Sequence, residues 1–356
     1  MPDRDIRWGT VRGDCGNWAF FDGESGEPYI IWRSKVKASV IAPPVAGKGA
    51  IFIGTPIRRL FVFDAETGDR LSKLWVDISV EDGMALDDNL IALSGRSFYN
   101  KLSIYDIDKG DLVWSKSSDR SSTPPLICDS QLFFATSEGV VFRIDPKSGE
   151  KIWRIELKDA VIEQEMAYRD SILYLPDQNG SLFAISADSG KIKWKLPLPT
   201  SPSGAVVVIP DHIIVPTVSG EIPVIKLDGS IRVSIDAPGE LVTSLACSGP
   251  TVYGATRFGI VFAGDLGGGG ILWQTNLDIP LITPPVLWGR ELVIVTTDNR
   301  LLFLSFADGE ILHELKIDSH LGTPPIIYNG NLYLGTLDGE LIAIGKKTQS
   351  MERENE

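Results

Sequence analysis

The chain has 356 residues, 43% of them hydrophobic and 23% charged, with 35 Gly and 22 Pro, a composition that excludes disorder, collagen and coiled coil. Its 34 Lys and Arg against 47 Asp and Glu leave a formal charge of −13, which repels phosphate backbones and anionic lipid and so argues against nucleic acid as a partner. No apolar run reaches the roughly 20 residues of a membrane helix, so direct membrane insertion is not expected, and the opening Met1-Pro2-Asp3-Arg4-Asp5 does not read as an export signal.

In chain order, the first apolar run follows Phe20-Phe21-Asp22-Gly23 and predicts a strand over residues 29–35. From there the chain repeats. Pro-Pro occurs at 43–44, 124–125, 284–285 and 324–325, the last three separated by 160 and 40 residues. In that frame eight segments begin near Pro44, Met84, Pro124, Gln164, Gly204, Ser244, Pro284 and Pro324, and a sustained period of this size is the mark of a repeat architecture. The third segment shows the order of features: strands over 125–128, 131–136, 140–144 and 151–155, with turns at Asp129-Ser130, Ser137-Glu138-Gly139 and Asp145-Pro146-Lys147-Ser148-Gly149. β-branched and aromatic residues fill the runs and Gly, Asp and Ser the gaps, as antiparallel hairpins require. The last hairpin of a segment carries Gly and, four residues on, Trp: Gly110 with Trp114, Gly149 with Trp153, Gly190 with Trp194 and Gly269 with Trp273. Such a ring is suited to covering the seam between neighbouring sheets.

Eight small sheets, each unstable alone, predict an all-β fold: an eight-bladed β-propeller of four-stranded antiparallel blades. The final segment supplies three strands (326–328, 331–336, 340–344) and then a polar run, so residues 29–35 are expected to complete the last blade from the N-terminal side. The expected organisation is one domain over 1–345 and a polar tail over 346–356.

Leu60-Phe61-Val62-Phe63-Asp64-Ala65-Glu66-Thr67-Gly68 and Val141-Phe142-Arg143-Ile144-Asp145-Pro146-Lys147-Ser148-Gly149-Glu150-Lys151-Ile152-Trp153 resemble the pyrroloquinoline-quinone-type propeller repeat. The opening Arg12-Gly13-Asp14 and Asn17, with Trp8 before them, are similar to that family's first segment. The likeness implies one of two branches. Quinoprotein alcohol dehydrogenases hold a quinone and a metal ion on the ring axis and usually carry an adjacent Cys-Cys pair. A cofactor-free scaffold branch serves outer-membrane assembly. Cys15, Cys128 and Cys247 are not adjacent, and no long inserts interrupt the repeats, which favours the scaffold branch. That branch implies protein partners in a larger assembly, no cofactor, no catalytic residue, and a periplasmic or envelope location, with the cytoplasm as the alternative since no signal is read in the chain. A quinone-dependent dehydrogenase, or a small-molecule sensor using the axial funnel, is the competing reading.

Individual motifs add little chemistry. The three histidines, His212, His313 and His320, lack metal-ligand spacing, and His313 stands at the Trp position of its repeat. Asp106-Ile107-Asp108-Lys109-Gly110-Asp111 offers alternating carboxylates but lacks the distant Glu of a calcium loop, and it coincides with the repeat's own turn. Gly267-Gly268-Gly269-Gly270 reads as a degenerate copy of that turn. An odd number of cysteines leaves at least one thiol unpaired.

The loops between second and third strands are more telling. Where other segments place Glu138-Gly139 or Asn179-Gly180, the first has Ile57-Arg58-Arg59, the second Arg96-Ser97-Phe98-Tyr99-Asn100, the sixth Arg257-Phe258-Gly259 and the seventh Asn299-Arg300. Turns rarely need Arg or aromatic residues, whereas interfaces favour them. Arg58, Arg59, Phe98, Tyr99, Phe258 and Arg300 are therefore the expected partner-binding rim, the alternative being rings folded onto their own blades and arginines paired locally.

Overall fold

The computed structural model describes residues 9, 10, 12–23, 25–96, 100–118, 123–281 and 283–347. Every segment forms the expected meander. In the third blade the strands are Leu126–Cys128, Gln131–Ala135, Val140–Ile144 and Lys151–Glu156, in spatial order. Most innermost strands, such as Val45–Gly47 and Val286–Trp288, are short and wholly buried. The outermost, such as Arg70–Trp75 and Ile192–Pro197, alternate exposed and half-buried residues. This gradient from buried to alternating is the radial direction of a propeller, in which middle strands are covered on both faces by neighbouring blades. Each outer strand pair is broken by a register shift, at Arg143/Ile144 in the third blade and Ala184/Ile185 in the fourth. A bulge there raises the local twist that fans the blade outward.

The ring closes as expected and slightly further. Glu27–Lys35 pairs antiparallel with Glu340–Lys347, Tyr29 opposite Gly345 and Lys35 opposite Glu340, giving the eighth blade its fourth strand. Glu340–Lys347 runs two residues into the segment read as tail. Lys346 is buried there, its ammonium 3.0 Å from the fully buried Glu291 carboxylate of the seventh blade. One hydrophobic cluster joins Phe61 and Phe63 of the first blade to Tyr333 and Ile342 of the last and to Trp288 and Phe303 of the seventh, so the closure is packed as a core.

The repeating Trp does cover a seam, and it does so on the neighbour. Trp114, Trp153, Trp194 and Trp273 each donate the indole N–H to a backbone carbonyl of the following blade's outer turn: Pro146, Ala187, Leu227 and Phe306. The ring then lies over that turn's glycine, where a Cβ on Gly149, Gly190, Gly229 or Gly309 would come within 2.4–2.9 Å of it. Gly therefore serves twice here, for its positive φ and for the close approach of the indole. Trp32 on the closing strand lies over Gly68 of the first blade in the same way, and Ser34 donates to the Gly68 carbonyl.

The N-terminal segment has a role the repeat does not announce. Backbone amides of Leu86, Tyr168, Val208, Cys247 and Leu287, on the innermost strands of five blades, donate to the carbonyls of Gly9, Cys15, Gly16, Trp18 and Ala19. Phe20–Phe21 then adds a short parallel strand beside Leu287 and Trp288. This strap is locked by buried side chains. Asn17 donates to the Met166 and Val206 carbonyls, and Arg12 to the Leu245 carbonyl at 2.5 Å. A disulfide joins Cys15 to Cys128 of the third blade, and Cys247 remains a free, buried thiol.

Candidate protein interface

The loop between second and third strands and the connector to the next blade do share one face, because the first residue of each connector hydrogen-bonds back to that loop. Val76 donates to the Arg58 carbonyl, Leu157 to Gly139, Leu277 to Gly259 and Ile317 to Asn299. In most blades a glycine with φ near +80° sits at the bonding position, as Gly139, Gly180 and Gly339 do. In the first blade that position is Arg58, with φ 59°. A long side chain is thus held in a left-handed conformation disfavoured by roughly 1–2 kcal/mol for a residue with a Cβ, on an exposed loop where the fold itself is served equally well by glycine. Backbone strain of this kind gathers at functional positions.

Around Arg58 the first blade builds a patch of mixed character. Ile57 is 52% exposed and Trp75 68% exposed, and the Arg59 guanidinium stacks on the Trp75 ring 3.0 Å from its centroid. The stack restrains both side chains, which lowers the entropy lost when a partner covers them. On the sixth blade Phe258 is 71% exposed, beside an Arg257–Glu240 ion pair of 3.5 Å. Leu337 on the eighth blade and Ile41 on the connector into the first are also exposed. Arg300, by contrast, is engaged locally, with Nε 2.8 Å from Asp298 and Nη1 3.1 Å from Glu314. Phe98 and Tyr99 lie outside the described residues. Of the expected rim, Arg58 and Phe258 are exposed on one face, Arg59 is half-buried there with Nη1 3.1 Å from the Arg58 carbonyl, and Arg300 fits the local-pairing alternative. Trp75 was not among the expected residues, since it stands in an outer strand where the repeat puts aromatic rings for packing.

The other motifs resolve into turns. The Asp106 carboxylate accepts the backbone N–H groups of Asp108 and Lys109 and the Lys109 ammonium, and that side-chain bond leads the causes that hold its pKa below the usual carboxylate value. Asp64 and Asp145 cap their turns in the same fashion, and Asp265 caps the four-glycine turn through Gly267 and Gly268. His313 stands opposite Phe303 in the outer strand pair. Among the described residues no three His, Cys, Asp or Glu side chains converge to hold a metal ion. The cystine here spans 113 residues between strap and blade instead of joining neighbours.

Fold and repeat define a pyrroloquinoline-quinone-like eight-bladed β-propeller. The sequence family described as "Outer membrane protein assembly factor BamB" matches residues 59–221 and 226–350, and the chain belongs to it. The outer membrane protein assembly factor BamB of Bordetella pertussis is 22% identical over 286 residues, 75% of this chain and 73% of that one. BamB from Moraxella catarrhalis superposes with a TM-score of 0.76 at 18% identity over 89% of this chain and 99% of its own. A europium-containing methanol dehydrogenase superposes with a TM-score of 0.79 at 11% identity over 96% and 98%. The two superpositions establish a shared fold, which catalysts and scaffolds both use.

Proposed function

We propose that this protein is a non-catalytic platform for protein assembly in the cell envelope, and that its partner docks on the face carrying Arg58, Arg59, Trp75 and Phe258. The observation that carries the reading is Arg58: a strained, exposed arginine at a position that five blades give to glycine and the seventh to Asn299, beside a preformed arginine–tryptophan stack. Arg and Trp are the residues that dominate interface energetics when they are held in place. Membership of a family named for outer-membrane protein assembly supports the context. The Cys15–Cys128 disulfide supports a location outside the reducing cytoplasm.

Arg58→Gly separates binding from folding, because it relieves the backbone and removes the side chain together. The variant is expected to unfold at the same or higher denaturant concentration while cross-linking to its envelope partner falls by about tenfold or more, as loss of an anchor residue predicts. Phe258→Ser is expected to weaken capture in the same direction. Undiminished capture by both variants, or saturable binding of pyrroloquinoline quinone with calcium by the unaltered protein, overturns the reading in favour of a quinone or small-molecule function.

A further inference from the structure

The strap runs where innermost strands turn into second strands, on the end of the ring opposite the Arg58 face. There it forms one wall of a cavity of about 420 Å³ between the fifth and sixth blades, within the size range of small-molecule sites. The walls are apolar and rigid: the Trp18 ring, Ile209, Pro210, Pro250 and Leu266. Trp18 is fixed by its indole N–H, which donates to the Val208 carbonyl at 2.5 Å, and two walls are prolines, which lose no side-chain freedom on binding.

One cationic group faces this apolar space. Arg232 lines the cavity, and its Nη1 lies 2.8 Å from His212 Nε2. Since a guanidinium only donates, His212 accepts at Nε2 and is the neutral tautomer protonated at Nδ1. Burial first, then Arg232, pulls its pKa below the ordinary histidine value, consistent with that assignment. Other arginines of this acidic chain, Arg33, Arg143, Arg154 and Arg300 among them, are paired with carboxylates. Asp211 lines the same cavity, yet among the described residues the side chain that Arg232 bonds is His212 and not a carboxylate. The histidine orients the fork without discharging it, so the remaining N–H groups keep full donor strength for an anion.

We infer that this cavity is a binding site for a small organic acid, a carboxylate carried on a flat apolar body, with the carboxylate on Arg232 and the body between Trp18 and the two prolines. It is independent of the docking face, being built from other blades and the other end of the ring.

The full-length protein titrated calorimetrically with 3-phenylpropionate is expected to bind one equivalent saturably, and 3-phenylpropionamide, equal in shape but neutral, about tenfold more weakly or not at all. Arg232→Gln lies on an exposed outer strand and is expected to lose the acid-over-amide preference with its thermal midpoint unchanged. Trp18→Phe, which keeps a ring but shortens the wall, is expected to weaken acid and amide alike. Three results overturn the inference: no saturable heat up to about 10 mM acid, equal affinity for acid and amide, or unaltered acid binding in Arg232→Gln.

Discussion

The Cys247 thiol lies wholly buried beneath the strap, where desolvation pushes its pKa up to about 12. Only the thiolate reacts with alkylating reagents, so the native thiol is expected to be inert at mildly alkaline pH. Cys15, a few residues along the strap, is instead tied to Cys128. The expected alkylation count is zero in the native protein, one in denaturant without reductant and three when both are present, read by intact mass. Three modified cysteines in denaturant alone would show that the strap is not covalently held. An odd cysteine count already required a free thiol. Which two pair was not legible, because Cys15 and Cys128 meet only through the path of a segment that belongs to no repeat. Arg58 is a similar case: its residue type marked the loop, but its left-handed backbone, at a position that most blades give to glycine and the seventh to Asn299, is an angle the sequence does not print. For Arg300 the residue type pointed to the rim, while Asp298 two residues earlier and Glu314 on the adjacent strand hold it in place.

At the scale of the element, the outer hairpin shows what a periodic motif contains and what it hides. Gly and Trp four residues apart mark a hairpin with a ring suited to a seam between sheets, and the particular seam is the one ahead: Trp153 leaves its own Gly149 and covers Gly190 of the next blade. Spacing along the chain locates the hairpin. It cannot say whether a ring packs on its own sheet or its neighbour's, since that depends on how blades stack. The staple also predicts a graded response. Gly190 has φ 69° and its Cβ would fall 2.9 Å from the Trp153 ring, whereas Gly49, with φ 73°, has nothing within 4 Å. Gly49→Ala should then cost only the left-handed backbone penalty of about 1 kcal/mol. Gly190→Ala should add the cost of displacing the indole, for a total of about 2–4 kcal/mol. Both are measured by urea unfolding of the full chain. Equal losses would mean that the indole moves aside freely and that the staple contributes little to blade order.

The whole molecule depends on its two ends meeting. The need for an N-terminal strand was legible as an incomplete final repeat, and Trp32 and Ser34 engage Gly68 as the outer strands elsewhere engage the next turn. What the polar composition of the last residues concealed is a clasp. Lys346 is buried against Glu291, donates to the Trp288 carbonyl and lies 4.3 Å from that ring's centroid, while the Gly26 amide donates to Glu291. One carboxylate thus ties the closing strand, the last strand and the seventh blade. Burial pulls the Lys346 pKa below its ordinary value, with Glu291 opposing the shift. Glu291→Ala leaves an uncompensated charge inside the closure and is expected to cost about 3–5 kcal/mol, whereas Glu291→Leu with Lys346→Met removes both charges and is expected to restore most of that stability. The pair of variants distinguishes a charge left stranded from a loss of shape, because only the first is repaired by removing the lysine. Deleting residues 1–36 goes further, exposing the edge of Glu340–Lys347 and opening the cluster shared by the first, seventh and eighth blades. With the ring open, blades at the gap lose one neighbour and unfold separately, so calorimetry is expected to show a broad transition whose van't Hoff enthalpy falls below the calorimetric one. A truncated chain that keeps a single sharp transition at the original temperature would place the stability of the propeller in its individual blades and remove closure as its organising constraint.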